Sequence, residues 1–309
     1  MNAASSSAPA AQPPDRTGLA QGVGAYLIWG ALPVYFAALA GPRADEIVAH
    51  RILWSLVLLA GVIAVMRRGA ALVSALRNPR ALGMLAGSAT LISVNWLTYI
   101  LAVQNGHVLA ASLGYFLNPL VNVVIGVVLL GERLTRVQTA AVGLAAIGVL
   151  VLAAGAGTTL WISLVLALSF AFYGLIRKLA PVESVEGLTI ETLLLAPFAG
   201  GFLLWLGPVN DFGGDMGISL LLAASGIVTA TPLLLFAAAA RRLPYSTLGL
   251  LQYIAPTGQF LLAVFFFREA MTPAHIVCFA FIWTGLALYG AHGGVTARAA
   301  RRRARASGV

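Results

Sequence analysis

From Leu19 almost to its C-terminus the chain is a succession of apolar stretches of about 20 residues, each long enough as a helix to cross a hydrocarbon core of roughly 30 Å. In lipid every backbone N–H and C=O must be paired internally, which leaves only helices and closed β-barrels. A barrel would show short alternating segments, whereas these runs are continuous and rich in Leu, Ala and Val. Only 9% of the residues are charged, against about 25% for a soluble domain. The sequence therefore specifies an all-α polytopic membrane protein.

Ten transmembrane spans can be drawn: Leu19 to Leu39, Ile47 to Met66, Ala81 to Val103, Val108 to Leu130, Val137 to Ala154, Leu160 to Leu179, Gly187 to Leu206, Ile218 to Ala240, Ser246 to Phe267 and Ala274 to Ala291. Their connections are too short for a separate soluble domain. Met1 to Gly18 is rich in Ala, Ser and Pro and reads as a disordered cytoplasmic tail. Ala38-Leu39-Ala40 imitates a signal-peptidase site, but the run before it exceeds the roughly 7 to 15 residues of a signal core and contains Trp29 and Pro33, so it reads as a retained first span. Cys278, the single cysteine, falls within the tenth span as a packing residue, which excludes a disulfide framework and a thiolate metal site.

A net charge of +9 would suit a nucleic-acid partner, but the positions of the 19 Lys and Arg residues report topology instead. With the N-terminus inside, all but Arg43, Arg51 and Arg268 fall on the cytoplasmic side. That is the positive-inside bias, and an even number of spans then puts both termini in the cytoplasm. The tail from 292 to 309, with its arginines at 298 to 305, lacks aromatic residues for base stacking and reads as an anchor to anionic lipid headgroups.

Two segments 137 residues apart share one layout, Pro119 to Glu132 to Thr135 and Pro256 to Glu269 to Thr272, with side-chain amides at Asn122 and Gln259. Trp29-Gly30 and Tyr173-Gly174 give weaker support. One element lies in the fourth span and the other in the ninth, so the unit is five helices, 19–155 and 156–291. Five is odd, and the two copies must cross the membrane in opposite senses. Inverted repeats of this kind are an architecture of secondary transporters; duplication for stability alone is the structural alternative. Pro119 and Pro256 each remove a backbone donor near mid-span, freeing the carbonyls of Tyr115 and Gln252. A kinked pair of helices is expected to line a substrate path around Tyr115, Asn118, Pro119, Asn122, Gln252, Tyr253, Pro256 and Gln259. Asn95 and Tyr99, four apart, share a face of the third span, and Trp96 lies between them. Aromatic and amide groups with few carboxylates suit a small amphipathic organic solute better than a bare metal ion.

Four ionisable residues stand out as candidates for coupling or gating: Glu46, His50 and Arg51 at the start of the second span, and Glu191 in the equivalent seventh. Arg51 is expected either to snorkel to the interface or to pair with Glu46 at the outer mouth, and His50 or Glu191 to carry a coupling proton. There is no G-x-x-x-x-G-K-[ST], no H-E-x-x-H and no Asp-rich metal motif, and His107, His275 and His292 have no ligand spacing. The residues imply no enzyme, no cofactor and no metal.

Several strings together resemble the RarD branch of the EamA-type transporters, within the drug/metabolite transporter superfamily: EIVAHRILWS from Glu46 to Ser55, Asn95-Trp96 followed by Asn105-Gly106-His107, ASLGYFLNP from Ala111 to Pro119, Gly131-Glu132-Arg133, and LGLLQYIAP from Leu248 to Pro256. The resemblance runs from about Gly18 to Gly290. It implies a ten-helix, two-repeat inner-membrane permease, in a branch whose name is tied to chloramphenicol sensitivity. The second half departs from it, with Arg268-Glu269-Ala270 where the first has Gly131-Glu132-Arg133. The expectation is a secondary transporter for a small organic metabolite or drug, working by alternating access on a proton or exchange gradient, with lipid and a small-molecule substrate as its partners. The alternatives are a non-transporting membrane protein, such as a lipid-modifying enzyme or assembly scaffold, and a channel.

Overall fold

A computed structural model describes residues 15–39, 41–104, 107–154, 159–266, 273–274 and 276–288. Among them every regular element is helical: α1 (Arg16–Ala38), α2 (Ala44–Val65), α3 (Gly69–Arg77), α4 (Pro79–Gln104), α5 (Val108–Val128), α6 (Arg136–Ala153), α7 (Leu160–Leu179), α8 (Ser184–Leu206), α9 (Met216–Arg242), α10 (Tyr245–Gln252), α11 (Ile254–Leu261) and α12 (Ile276–Leu288). A π-helical turn, Leu262–Phe266, follows α11. Among the described residues eight helical segments are long and apolar enough to cross a membrane, and the stretches Leu113–Val128 and Ile276–Leu288 are apolar but shorter. Asn105, Glu269, Thr272, His275, His292, residues 1–14 of the expected N-terminal tail and the whole C-terminal tail lie outside the described residues, while 15–18 of that N-terminal stretch open a helix.

The helix ends follow from short-range chemistry. Asp15 accepts hydrogen bonds from the N–H groups of Thr17 and Gly18, so α1 starts at Arg16, ahead of the apolar run. Thr135 and Gln138 form a capping box on α6. Gly131, at φ +66°, takes the left-handed turn that leaves α5, and Glu132 N–H returns to the Gly126 carbonyl at 2.9 Å. The basic stretch between the second and third spans is not a bare loop. It holds α3, whose Leu72, Ala75 and Leu76 cover Leu85 and Ile190, while Arg68 reaches the buried Glu186 at 2.6 Å. The i, i+4 pair of leucines was the signal for it.

The packing alternates between the chain's two halves. α1 lies against α9 and α11, while α7 lies against α4 and α5; α2 packs on α8, and α5 on α10. Small residues let these helices touch backbone to backbone, the main source of association when lipid is as apolar as the side chains. Gly226 of α9 sits so close to α2 that a Cβ there would lie 2.5 Å from the Trp54 carbonyl oxygen. Gly249 likewise meets the Pro119 carbonyl, and Gly30 the backbone of Gly258.

The backbone around the two mid-span prolines differs. The ninth span breaks at Tyr253, between α10 and α11, next to the Gln252 carbonyl for which Pro256 supplies no donor. α5 runs unbroken through Pro119.

Candidate functional site

A cavity of about 300 Å³ opens between the halves, walled by α1, α2, α4 and α5 on one side of the chain and α7, α9, α10 and α11 on the other. Of the eleven residues expected along a path, Asn95, Trp96, Tyr99, Tyr115, Asn118, Gln252, Pro256 and Gln259 line it. Pro119, Asn122 and Tyr253 do not; they are buried behind the wall and hold α5 to the second half. Asn122 Nδ2 donates to Gln252 Oε1 at 2.7 Å, and Tyr253 OH donates to the Phe116 carbonyl at 3.3 Å.

Three of the amides that face the cavity are held by backbone of the other half. Asn95 Nδ2 donates to the Leu166 carbonyl at 2.9 Å and Ser169 Oγ at 3.0 Å. Asn118 Nδ2 donates to the Ala167 carbonyl at 2.7 Å, and Gln259 Nε2 to that of Trp29 at 3.1 Å. Each bond crosses from one half to the other, so the wall is set by contacts between halves. Sequence reading missed the role of the aromatic side chains Tyr26, Trp29, Phe36 and Phe170, which complete the lining. Their signal was the i, i+3 aromatic pair in the first helix of each half, Tyr26 with Trp29 and Phe170 with Tyr173.

The two ends of the cavity differ. Toward the end where α1 and α4 finish and α2 and α5 begin, Tyr99 is 39% exposed and lies 5.9 Å from Tyr115. At the other end Tyr26, Tyr173, Phe236 and Tyr245 are fully buried in one aromatic layer. Phe236 is 5.4 Å from Phe170, 5.7 Å from Trp29 and stacked on Tyr173 at 6.2 Å. Hydroxyls pin the layer to backbone: Tyr26 to Leu248 at 3.3 Å and Tyr245 to Ala171 at 2.5 Å. Below it Glu132 reaches from the α5–α6 turn to the first turn of α10. Its oxygens accept from Tyr245 N–H at 2.5 Å, Ser246 N–H at 2.9 Å and Ser246 Oγ at 2.6 Å. A carboxylate on a helix N-terminus satisfies orphan donors and complements the helix dipole. Lys178 Nζ adds bonds to the Ala240 and Leu243 carbonyls at 2.8 and 2.7 Å.

The four ionisable candidates separate into three settings. Glu46 and His50 face away from the cavity and tie down the turn after α8. Glu46 Oε1 accepts from Asp211 N–H at 2.8 Å, and His50 Nε2 lies 3.3 Å from Asn210 Oδ1 with its ring stacked on Phe212. Glu46 lies 3.8 Å from His50, so its expected pairing with Arg51 is not made. Arg51 does not snorkel either. It turns into the cavity, where Nε donates to Thr229 Oγ1 at 2.7 Å and the guanidinium sits over the Trp96 and Phe36 rings at 5.2 and 5.6 Å. Glu191 is buried beside Ser88, Tyr173 and Arg177, whose Nη1 lies 3.5 Å away. A small second cavity of about 20 Å³ is lined by Glu191, Thr229 and Arg51. Among the described residues no group of His, Cys, Asp and Glu could hold a metal ion.

Residues 16–154 match the EamA-like transporter family. The protein RarD of Streptomyces exfoliatus is 49% identical over 94% of both chains. The protein RarD of Escherichia coli (strain K12) is 47% identical over 89% of this chain and 94% of that one. A solved crystal structure, 20% identical and covering 90% of this chain and 98% of its own, superposes with a TM-score of 0.71, which extends the likeness to the fold. With its apolar helices these relationships make the chain a multi-pass membrane transporter, and it belongs to the RarD branch of the EamA-like transporter family.

Proposed function

We propose that the protein is a secondary transporter that carries a small organic solute by alternating access between two inverted five-helix repeats, 19–155 and 156–291, with both termini in the cytoplasm. The observation that carries this reading is a cavity walled by both halves and closed at one end by a packed aromatic layer. The reciprocal pairing of helices supports the repeat: α1 with α9 and α11 is mirrored by α7 with α4 and α5. In this arrangement the aromatic layer and Glu132 lie toward the cytoplasm. The cavity's rings and amides suit an amphipathic organic molecule, and the conformational change is the exchange of open and closed ends.

Of the two candidates for a coupling proton, Glu191 is the better placed. It shares the small cavity with Arg51, and neutralising it would release Arg177, its buried partner. The test is transport by the purified protein in liposomes. Saturable counterflow of a labelled solute is expected; the solute is to be found by comparing metabolites inside and outside overexpressing and deletion cells, with and without a protonophore. Lipid product in place of solute flux would refute the reading, as would non-saturable flux. Proton-driven transport unchanged in Glu191→Gln would remove the carboxylate from coupling.

A further inference from the structure

Resting on that reading of the cavity as the solute site, we propose that the solute is an organic anion whose carboxylate, or an acid group of similar shape, is received by Arg51. Arg51 is the one charged side chain among the described residues that line the cavity. Its Nε is committed to Thr229, and two aromatic faces hold the guanidinium plane. No described carboxylate lies within ion-pairing distance of it. The two terminal nitrogens therefore form a free, oriented fork, the geometry that receives a carboxylate through two parallel hydrogen bonds.

Arg177 supplies the contrast. It too is an arginine inside the bundle, 2% exposed, and its charge is answered by Glu191, with Nη2 donating to the Ser184 carbonyl at 2.9 Å. A structural arginine in an apolar bundle is paired in this way, because an unanswered charge there is costly. Arg51 has neutral hydroxyls and rings against it, and Glu191, across the small cavity, is committed to Arg177, so the missing counter-charge is assigned to the solute. The surrounding rings, Trp96, Phe36, Tyr99 and Tyr115, give the rest of such a molecule an apolar surface. A cavity of about 300 Å³ limits it to a small acid.

The test uses the purified full-length protein in detergent and two probe pairs of equal shape, phenylacetate with phenylacetamide and indole-3-acetate with indole-3-acetamide, binding being read by calorimetry. Each acid is expected to bind wild type at least tenfold more tightly than its amide. In Arg51→Gln that ratio falls to about one through loss of acid affinity, with amide affinity kept. Arg51→Lys keeps the charge without the fork and gives an intermediate ratio. The wild-type comparison needs no variant, so misfolding of Arg51→Gln leaves the proposal testable. Acids and amides binding alike in wild type, no binding of either, or a preference that survives in a folded Arg51→Gln would each overturn it. Tyr115→Trp, which fills the cavity, separates the two readings. Equal acid and amide binding that this variant abolishes refutes the anion and keeps the cavity, whereas binding it leaves untouched refutes the cavity as the solute site.

Discussion

Replacing Glu132 by Gln should open the end of the bundle that is closed in this structure. The carboxylate makes three short hydrogen bonds to the first turn of α10, two of them from backbone N–H groups. Gln keeps one carbonyl oxygen but turns the other acceptor into an NH2 that faces a donor. At least one charge-assisted bond is lost and an N–H is left unpaired, a cost of about 1.5–3 kcal/mol. If the contact exists only when this end is closed, that cost falls on the closed state alone. The equilibrium then shifts roughly tenfold to hundredfold toward a state in which this end is open. Leu248, fully buried and accepting the Tyr26 hydroxyl through its carbonyl, is a reporter behind the aromatic layer. In a Cys278→Ala background, Leu248→Cys should react with an impermeant maleimide in inverted vesicles about 10–100 times faster once Glu132→Gln is added, by the same conversion. An unchanged rate with a lowered melting temperature would refute the reasoning, since Glu132 would then hold the fold in both states.

Gly226→Ala places a methyl group against the Trp54 carbonyl and Ser55 N of α2, backbone atoms with no freedom to yield. It should cost about 1–3 kcal/mol and lower the Tm of the detergent-solubilised protein by several degrees, and an unchanged Tm would mean that the α2–α9 crossing is looser than it looks. Pro256→Ala restores the donor missing at the α10–α11 break and should slow counterflow while raising Tm, measured side by side with Pro119→Ala, which should change both less because α5 is already continuous. At the N-cap of α1 the hydrogen bond from Arg242 holds the Asp15 carboxyl below the usual carboxylate range. A lowered acid pKa stabilises above the unfolded value of about 3.9 and is lost as pH falls through the lower folded value. Hydrogen exchange in the first turn of α1 should therefore keep the same protection factor from pH 7 to pH 5 and lose protection only below about pH 4.

The helices were legible because membrane insertion depends on runs of apolar residues, and those runs survive any tertiary arrangement. The cavity wall was legible where a polar side chain stands alone in such a run: Asn95, Asn118, Gln252 and Gln259 have no other reason to be there, and each bonds across the halves. The aromatic layer was not, since Tyr26, Tyr173, Phe236 and Tyr245 come from four helices and resemble ordinary core or interfacial residues one at a time. Arg51 was misplaced for a related reason. Its nearest acid along the chain is Glu46, but the turn after α8 takes that carboxylate through the Asp211 N–H, a contact between residues 165 apart. α3 lies in a connection between the drawn spans, although its leucines are spaced for one buried face.

The duplicated element carries the same proline and an amide three residues on, yet the two copies are built differently. α5 is one helix and its Asn122 bonds to Gln252; the other copy is broken at Tyr253 and its Gln259 bonds to the Trp29 carbonyl. Local sequence alone therefore does not choose between an intact and a broken span. The two copies differ in what they pack against, α5 on α7 and α11 on α1. A shape set by neighbours can be exchanged when the neighbours move, without unfolding either helix. The small residues at the crossings, Gly249 on Pro119 and Gly30 on Gly258, favour such movement, since backbone surfaces without side chains can slide where interlocked ones cannot. On the proposed reading, alternating access is the exchange of conformations between these two similar elements, with the aromatic layer and Glu132 closing one of the two ends.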